Sequence, residues 1–429
     1  MRVPLRILIA LVVVALIVQT WLVLGVVAPV VVSGGSMAPG LVGEHYHVVC
    51  QVCARPFACG QESTPPDHRA LCPSCGAWCD LESADLRPGD RLFVDRTAFF
   101  HSAPNRWSRV VCPLPDSAGA LGVKRVVGLP GERITISDGD LYANGEILRK
   151  DWDVLSTMAI VVDSAEYQPH SDAAVSRWRA DREDSRWRGT EKGFEIDKAP
   201  PAADGAGAID WLTYHHEQIW RQGESVARRG GPILDDLAYN QNESRELVAV
   251  PDVMLVCRLE SAGDGQVYLR ASDGRKEFVV RLDMAGRRGE VREGDRALAH
   301  FVLPTSMSLE QPHNVGLALA DCRLQLVVAG VPIVDYRYDP ADSASRQPTA
   351  EPFGVGAVGM PLRFTEWVVS RDIYYLPAPG EVTTESRQLG PNEYWLLGDN
   401  TAVSDDSRTW PPEVRMTRDV LVGGILRWR

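Results

Sequence analysis

Three short stretches of this chain carry side chains suited to nucleophilic chemistry. In Ser33-Gly-Gly-Ser-Met-Ala-Pro39 a serine follows two glycines, so its hydroxyl can be presented to a bound chain with little steric obstruction. In Lys124-Arg-Val-Val-Gly-Leu-Pro-Gly-Glu132 the neighbours Val123, Val126 and Val127 suit a buried strand. Burial disfavours the ammonium form and lowers the lysine pKa, so a neutral amine can accept a serine proton at physiological pH. Ser36 and Lys124 are therefore candidates for nucleophile and general base, the Ser–Lys form of covalent catalysis. The third stretch, Gly398-Asp-Asn-Thr-Ala-Val-Ser-Asp-Asp-Ser-Arg408, packs hydroxyls, carboxylates and a guanidinium into one turn-rich segment.

A different chemistry is written in the cysteines. The chain has 9, and Cys50, Cys53, Cys59, Cys72, Cys75 and Cys79 crowd together, while Cys112, Cys257 and Cys322 stand apart. Cys50-Gln-Val-Cys53 and Cys72-Pro-Ser-Cys75 have the spacing of a ribbon, in which each knuckle offers two thiolates to a tetrahedral structural zinc. Disulfides are the rival, although a bridge within Cys-x-x-Cys closes a small loop and strains easily. Cys59, Cys79, His45, His47 and His68 are either substitute ligands, a disulfide pair or solvated side chains. Cys257 and Cys322 are either a cross-sheet disulfide or separate buried thiols. No cofactor is needed for the Ser–Lys chemistry.

What must position these groups is mainly β structure. Arg2 and Arg6 precede an apolar run from Ile7 to Val32, broken only by Gln19, Thr20, Gly25 and Pro29. That length meets the roughly 20 residues a bilayer core requires, and arginines on its N-terminal side put the N-terminus in the cytoplasm and the rest outside. The expected organisation is a single-pass inner-membrane anchor at 1–32, core segments at 33–49, 81–154 and 376–429, a ribbon at 50–80 and a large insert at 155–375. Within the insert, 155–210 reads as linker and surface loop, with Trp178, Trp187 and Trp211 packing on the next domain. Short strand-like runs joined by Gly/Asp turns, at 253–257, 266–271, 277–282, 296–301, 314–319, 323–328, 331–336 and 362–369, predict a β-sandwich. No candidate catalytic residue falls in 155–375, so the insert is expected to be separable from the chemistry.

Over 429 residues the formal net charge is -12, which argues against a nucleic-acid partner because phosphate binding needs a basic face. Hydrophobic residues at 45% and charged residues at 24% are globular values.

Ser-Met-x-Pro after an apolar run, Gly89-Asp-Arg-Leu-Phe-Val-Asp-Arg96, Lys-Arg-x-x-Gly-x-Pro-Gly-Glu and Gly-Asp-Asn-x-x-x-Ser-x-Asp-Ser-Arg follow one another in this order. Together they resemble type I signal peptidases, the bacterial leader peptidase family. The ribbon and the large β insert resemble members of the planctomycete type, and the insert's pattern resembles concanavalin or laminin-G jelly rolls. The resemblance implies a membrane-bound serine endopeptidase that removes signal peptides from exported preproteins. It implies that Met37 shapes the substrate cleft, Ser404 orients the Lys124 amine, Asp406 and Arg408 form a supporting salt bridge, and Asp399 and Asn400 shape the site. Where many members place a serine hydroxyl in the oxyanion hole this chain has Gly34, with Ser33 the neighbouring hydroxyl. The implied partners are preproteins and membrane lipid, with a glycan or protein ligand for the sandwich. The rival function is a membrane-tethered binding protein on an inactive peptidase scaffold.

Overall fold

A computed structural model describes residues 2–23, 25–115, 119–169, 176–197, 209–261, 263, 265–304, 311–340 and 347–426. It is mainly β. The core is a six-stranded sheet in the order Val27–Val31, Arg91–Asp95, Gly423–Leu426, Arg109–Pro113, Leu121–Gly128, Trp395–Leu397. Both faces of Leu121–Gly128 are covered, which explains its apolar sequence. Val126 packs with Val110, Cys112 and Leu396 on one side, and Val127 with Ile134 and Trp395 on the other. By strand alternation Lys124 shares a face with Val126, and Arg125 points the opposite way. A four-stranded sheet, Glu146–Ile147, Asp140–Ala143, Ile134–Ser137 and Thr384–Glu385, closes this half.

The N-terminal run divides where a continuous anchor helix was expected. An α-helix spans Arg2–Ile17, a wider π-type turn comes next at Val18–Val23, and Val27–Val31 is a strand paired with Arg91–Asp95. Among the described residues no helix is long and apolar enough to cross a membrane. Pro29 cannot continue a helix but is tolerated on an edge strand, where its missing N–H faces no partner. The boundary expected at residue 32 therefore moves back: the last apolar residues belong to the core sheet.

The cysteine-rich segment forms a three-stranded sheet, Pro56–Gly60, His45–Val49 and Asp85–Arg87, and a hairpin of Arg69–Leu71 with Trp78–Asp80. The large insert is a two-sheet sandwich. One sheet runs Arg188–Thr190, Gly193–Ile196, Leu362–Arg371, Val253–Glu260, His313–Ala320, Arg323–Val328, Val331–Arg337, with Ile160–Ser164 also against Leu362–Arg371. The other runs Trp178–Ala180, Asp210–Tyr214, Phe353–Val358, Gln266–Ser272, Glu277–Asp283, Arg288–Glu293, Arg296–Val302. Ile160 pairs with Arg371, so the chain enters and leaves this unit side by side.

The segment read as linker instead supplies strands to both sheets. Its composition is polar, but Trp178 is 1% exposed, with Phe364 edge-on at 4.6 Å. Burial of an aromatic surface of this size outweighs weak local propensity. The Pro/Ala-rich part at 199–208 lies outside the described residues. Phe353–Val358 was invisible as a strand because of its glycines: Trp211 and Arg270 lie against Gly354, filling the space a side chain would need. Cys257 and Cys322 are buried separate thiols, and none of the 9 cysteines is bridged.

Candidate active site

Ser36 sits half-buried in a turn just after the Val27–Val31 edge strand. The turn is closed by Ala38 N–H donating to Gly35 O at 3.0 Å and Leu41 N–H to Met37 O at 2.9 Å. Four more contacts fix it from outside. Glu62 Oε1 accepts the Gly35 N–H at 3.0 Å, Asn400 N–H donates to Ser36 O at 3.0 Å, and Asn400 Nδ2 donates to Gly35 O at 3.0 Å. The Tyr239 ring lies so close to Gly35 that any Cβ there would strike it. Met37 points inward and is 1% exposed, packed with Leu41 and Leu92.

Lys124 is 3% exposed, and its Nζ donates to Ser404 Oγ at 3.1 Å. Burial pushes the amine below its ordinary 10.5; Asp406, Cys112 and Asp405 pull it back up. Burial likewise pushes the neighbouring Cys112 thiol up, to about 12. Gly398 joins the two halves of the constellation. A side chain on it would collide with both Ser404 Oγ and Ser36 O, so the Ser36 turn and the lysine's partner meet at this glycine.

Asp406 is fully buried and accepts the Gly398 N–H at 3.0 Å, together with Arg408 Nε at 2.8 Å and Nη2 at 2.9 Å. Arg408 also donates to the carbonyls of Leu376 and Thr401, each at 2.8 Å. Lys124, Ser404, Asp406 and Arg408 thus converge, and the Ser36 backbone carbonyl reaches the same segment at Gly398. Asp399 does not join them: it takes a bidentate pair from Arg125 at 2.7 and 2.6 Å on the opposite face of the lysine strand. That side opens into a cleft of about 530 Å³ lined by Pro39, Trp107, Arg125, Met158 and Asp399. Asn400 lies behind the Ser36 turn. Gly34 is exposed, with no heavy atom within 4 Å of where a Cβ would sit.

The Sγ atoms of Cys50, Cys53, Cys72 and Cys75 all lie within 4.8 Å of one another, and all four residues are buried. Cys50 and Cys75 are 3.5 Å apart and Cys53 and Cys72 3.6 Å, so the thiols of the two knuckles meet each other. Each knuckle is a tight turn: Ala54 N–H donates to Cys50 O and Gly76 N–H to Cys72 O, both at 2.9 Å. Ala54 and Gly76 take the positive φ such turns require, 58° and 65°. Four convergent, buried thiols are the donor set of a tetrahedral thiophilic ion. Cys59, Cys79, His45, His47 and His68 stand outside this group; His45 Nδ1, for example, meets Gly43 O at 2.8 Å.

Sequence reasoning missed Arg125, Glu62, Tyr239 and Asn240. Arg125 left a readable signal, since alternation puts it on the face opposite Lys124 with Asp399 in the same constellation of motifs. Nothing in the sequence connects the other three with residue 36.

Residues 81–186 match the family model described as signal peptidase, peptidase S26. A "probable signal peptidase I-2" from Synechocystis sp. is 31% identical over 72 residues, 16% of this chain. That match spans 33% of the relative's length. Among solved structures, the carbohydrate-binding module CBM66 from Bacillus subtilis is 9% identical with a TM-score of 0.29, covering 46% of this chain and 96% of that one. The exoplasmic/lumenal domain of VIP36 is 10% identical with a TM-score of 0.30, covering 47% and 86%. Over the stretch that carries the Lys124 strand, this chain is similar to signal peptidases of the peptidase S26 family.

Proposed function

We propose that this protein is a serine endopeptidase of the signal peptidase I type, with Ser36 as nucleophile and Lys124 as general base. The observation that carries the reading is a buried lysine amine, hydrogen-bonded to Ser404 Oγ, at the glycine that also abuts the Ser36 carbonyl. Ser36 Oγ attacks the scissile carbonyl while the neutral Lys124 amine takes its proton. The amine then gives that proton to the leaving nitrogen, and water hydrolyses the acyl-enzyme by the same route in reverse. Ser404 aims the amine; Asp406 and Arg408 hold the Gly398–Ser404 segment that carries Ser404. The substrate is the signal-peptide region of an exported preprotein, bound extended, with small residues one and three positions before the cut. Exposed apolar side chains from Leu5 to Val18 favour attachment to a membrane, with the catalytic part outside the cytoplasm. The test is cleavage of a model preprotein by purified protein, with N-terminal sequencing of the product; a cut that persists in Ser36→Ala defeats the proposal.

The rate should depend on pH in one direction. Only the neutral amine accepts a proton, so kcat/KM should rise with pH through a single ionisation lying below 10.5 and level off above it. A profile flat from pH 6 to 10 would remove Lys124 from the chemistry.

The four cysteines fit one structural zinc, held as thiolates. Purified protein should contain one zinc per chain, and a strong chelator should speed amide hydrogen exchange in residues 50–79 well before it does so in Leu121–Gly128. Mass spectrometry finding Cys50–Cys53 and Cys72–Cys75 disulfides in the native protein would contradict this.

A further inference from the structure

The large insert reaches into the site through five consecutive residues. Leu237 packs on the apolar cluster of Val127, Ile134 and Trp395, and Ala238 on the ribbon's cluster of Cys50, Phe57 and Leu81. The Tyr239 ring occupies the space above Gly35 and Gly60, and its carbonyl accepts the Gly60 N–H at 3.0 Å. Gln241 bonds both backbone groups of Leu71, at 2.8 and 3.1 Å. Between these anchors Asn240, 8% exposed, faces Asn400, 1% exposed. The two amides pair reciprocally, each Nδ2 donating to the other's Oδ1 at 2.9 Å.

The direction of that pair has a cause. Glu243 Oε2, a pure acceptor, takes the second Asn240 N–H at 3.1 Å, and Arg245 Nε holds the other Glu243 oxygen at 2.9 Å. Asn240 must therefore turn its nitrogen toward Glu243 and Asn400 Oδ1, leaving its Oδ1 for Asn400 Nδ2. Asn400 then has one amide orientation, and its remaining N–H points at Gly35 O. Without Asn240 the terminal torsion of Asn400 is soft and roughly two-fold. Its oxygen could swing toward Gly35 O, where two acceptors repel.

We propose that Asn240 is a positioning residue for Ser36, acting through Asn400 on the Gly35 carbonyl that closes the nucleophile turn. This rests on reading Ser36 as the nucleophile. The insert, which the sequence presents as separable, thereby completes the site.

The test uses the full chain and a short signal-peptide substrate. Asn240→Leu keeps the γ-branched shape and removes every side-chain amide bond. It should lower kcat about 10- to 100-fold, the cost of misplacing a reacting group by about 1 Å, with KM changed less than about threefold. In the free protein, amide exchange at residues 35–38 should accelerate while Leu121–Gly128 stays protected. Asn240→Ala, which opens space instead of filling it, should lose the same kcat and covers the case in which leucine prevents folding. Gln241→Ala loosens the same loop without touching the amide pair and should keep kcat within about twofold. Wild-type kcat and wild-type exchange at 35–38 in both Asn240 variants would overturn the proposal while leaving the nucleophile in place. A wild-type chain that cleaves no faster than Ser36→Ala would instead overturn the reading on which it rests.

Discussion

Ser36→Ala and Lys124→Met should each reduce turnover of a preprotein by about 10⁴-fold or more, and the double variant should be no slower than either single one. The non-additivity comes from the chemistry: an amine with no hydroxyl to deprotonate, and a hydroxyl with no base, are equally inert. The two variants should part company in stability. Ser36 is half-buried, and its hydroxyl is small. Lys124 is 3% exposed and keeps its amine away from water, which is why its pKa falls below 10.5. A lysine with a lowered folded-state pKa binds fewer protons than it does unfolded. Its contribution to stability is therefore poorest below that pKa and improves as pH rises toward 10.5. Removing the charge with methionine, a side chain of similar reach, should leave the unfolding midpoint at pH 7 unchanged or raised. Loss of cleavage together with retained or gained stability would mark Lys124 as held for chemistry at a cost to the fold. Near-wild-type cleavage by Lys124→Met at neutral pH would end the mechanism.

The opposite outcome is expected at the other buried lysine. Lys150 lies just beyond the hairpin that ends in Glu146–Ile147, and its Nζ donates to Asp321 Oδ1 and pairs with Asp372 Oδ2, each at 2.7 Å. Both aspartates belong to the sandwich, so this ammonium fastens the core to the insert. Burial opposes its charge, but Asp321 and then Asp372 hold it well above the ordinary lysine range. Asp140, Asp252 and Asp321 bring carboxylate oxygens within 4.8 Å of one another, so the lysine is surrounded by acid. Lys150→Met should cost about 3–5 kcal/mol, the usual result of stripping one partner from a buried pair. The loss should depend on pH. Without the ammonium the Asp372 carboxyl loses the charge that holds its pKa down against burial, so its folded-state pKa stays raised above 3.8. It binds more protons folded than unfolded, and stability falls as pH climbs from 3.8 through that raised value. Burial already pushes Asp372 up to about 6 with the lysine in place. Urea unfolding at pH 7 and pH 5 should therefore show the gap between variant and wild type narrowing in acid. A variant as stable as the wild type at pH 7 would mean that the pair contributes nothing to docking.

The two lysines show what sequence alone can determine. Lys124 was legible because its neighbours Val123, Val126 and Val127 specify a strand with two covered faces, and burial by itself lowers a lysine pKa. Ser36 drew notice from its glycines, a weak signal by itself, and the four ribbon cysteines from a spacing fixed by the span of one knuckle. Most sandwich strands from Val253 to Arg371 were readable as short apolar or alternating runs between Gly/Asp turns. Each of these is a local property, set within a few residues. Lys150 gave no such signal, because its partners lie 171 residues away or more and meet it only when the insert folds back on the core. The same holds for Trp178, whose polar surroundings read as linker until Phe364 and Trp367 arrive from the far end of the insert. The end of the N-terminal apolar run was misplaced for a related reason. Hydropathy cannot tell a helix in lipid from an edge strand in a sheet, and the pairing of Val27–Val31 with Arg91–Asp95 decides it. Asn240 is the sharpest case: an asparagine in a loop carries no chemical signature, and only the tertiary structure brings its amide to Asn400 and so to the turn that holds Ser36.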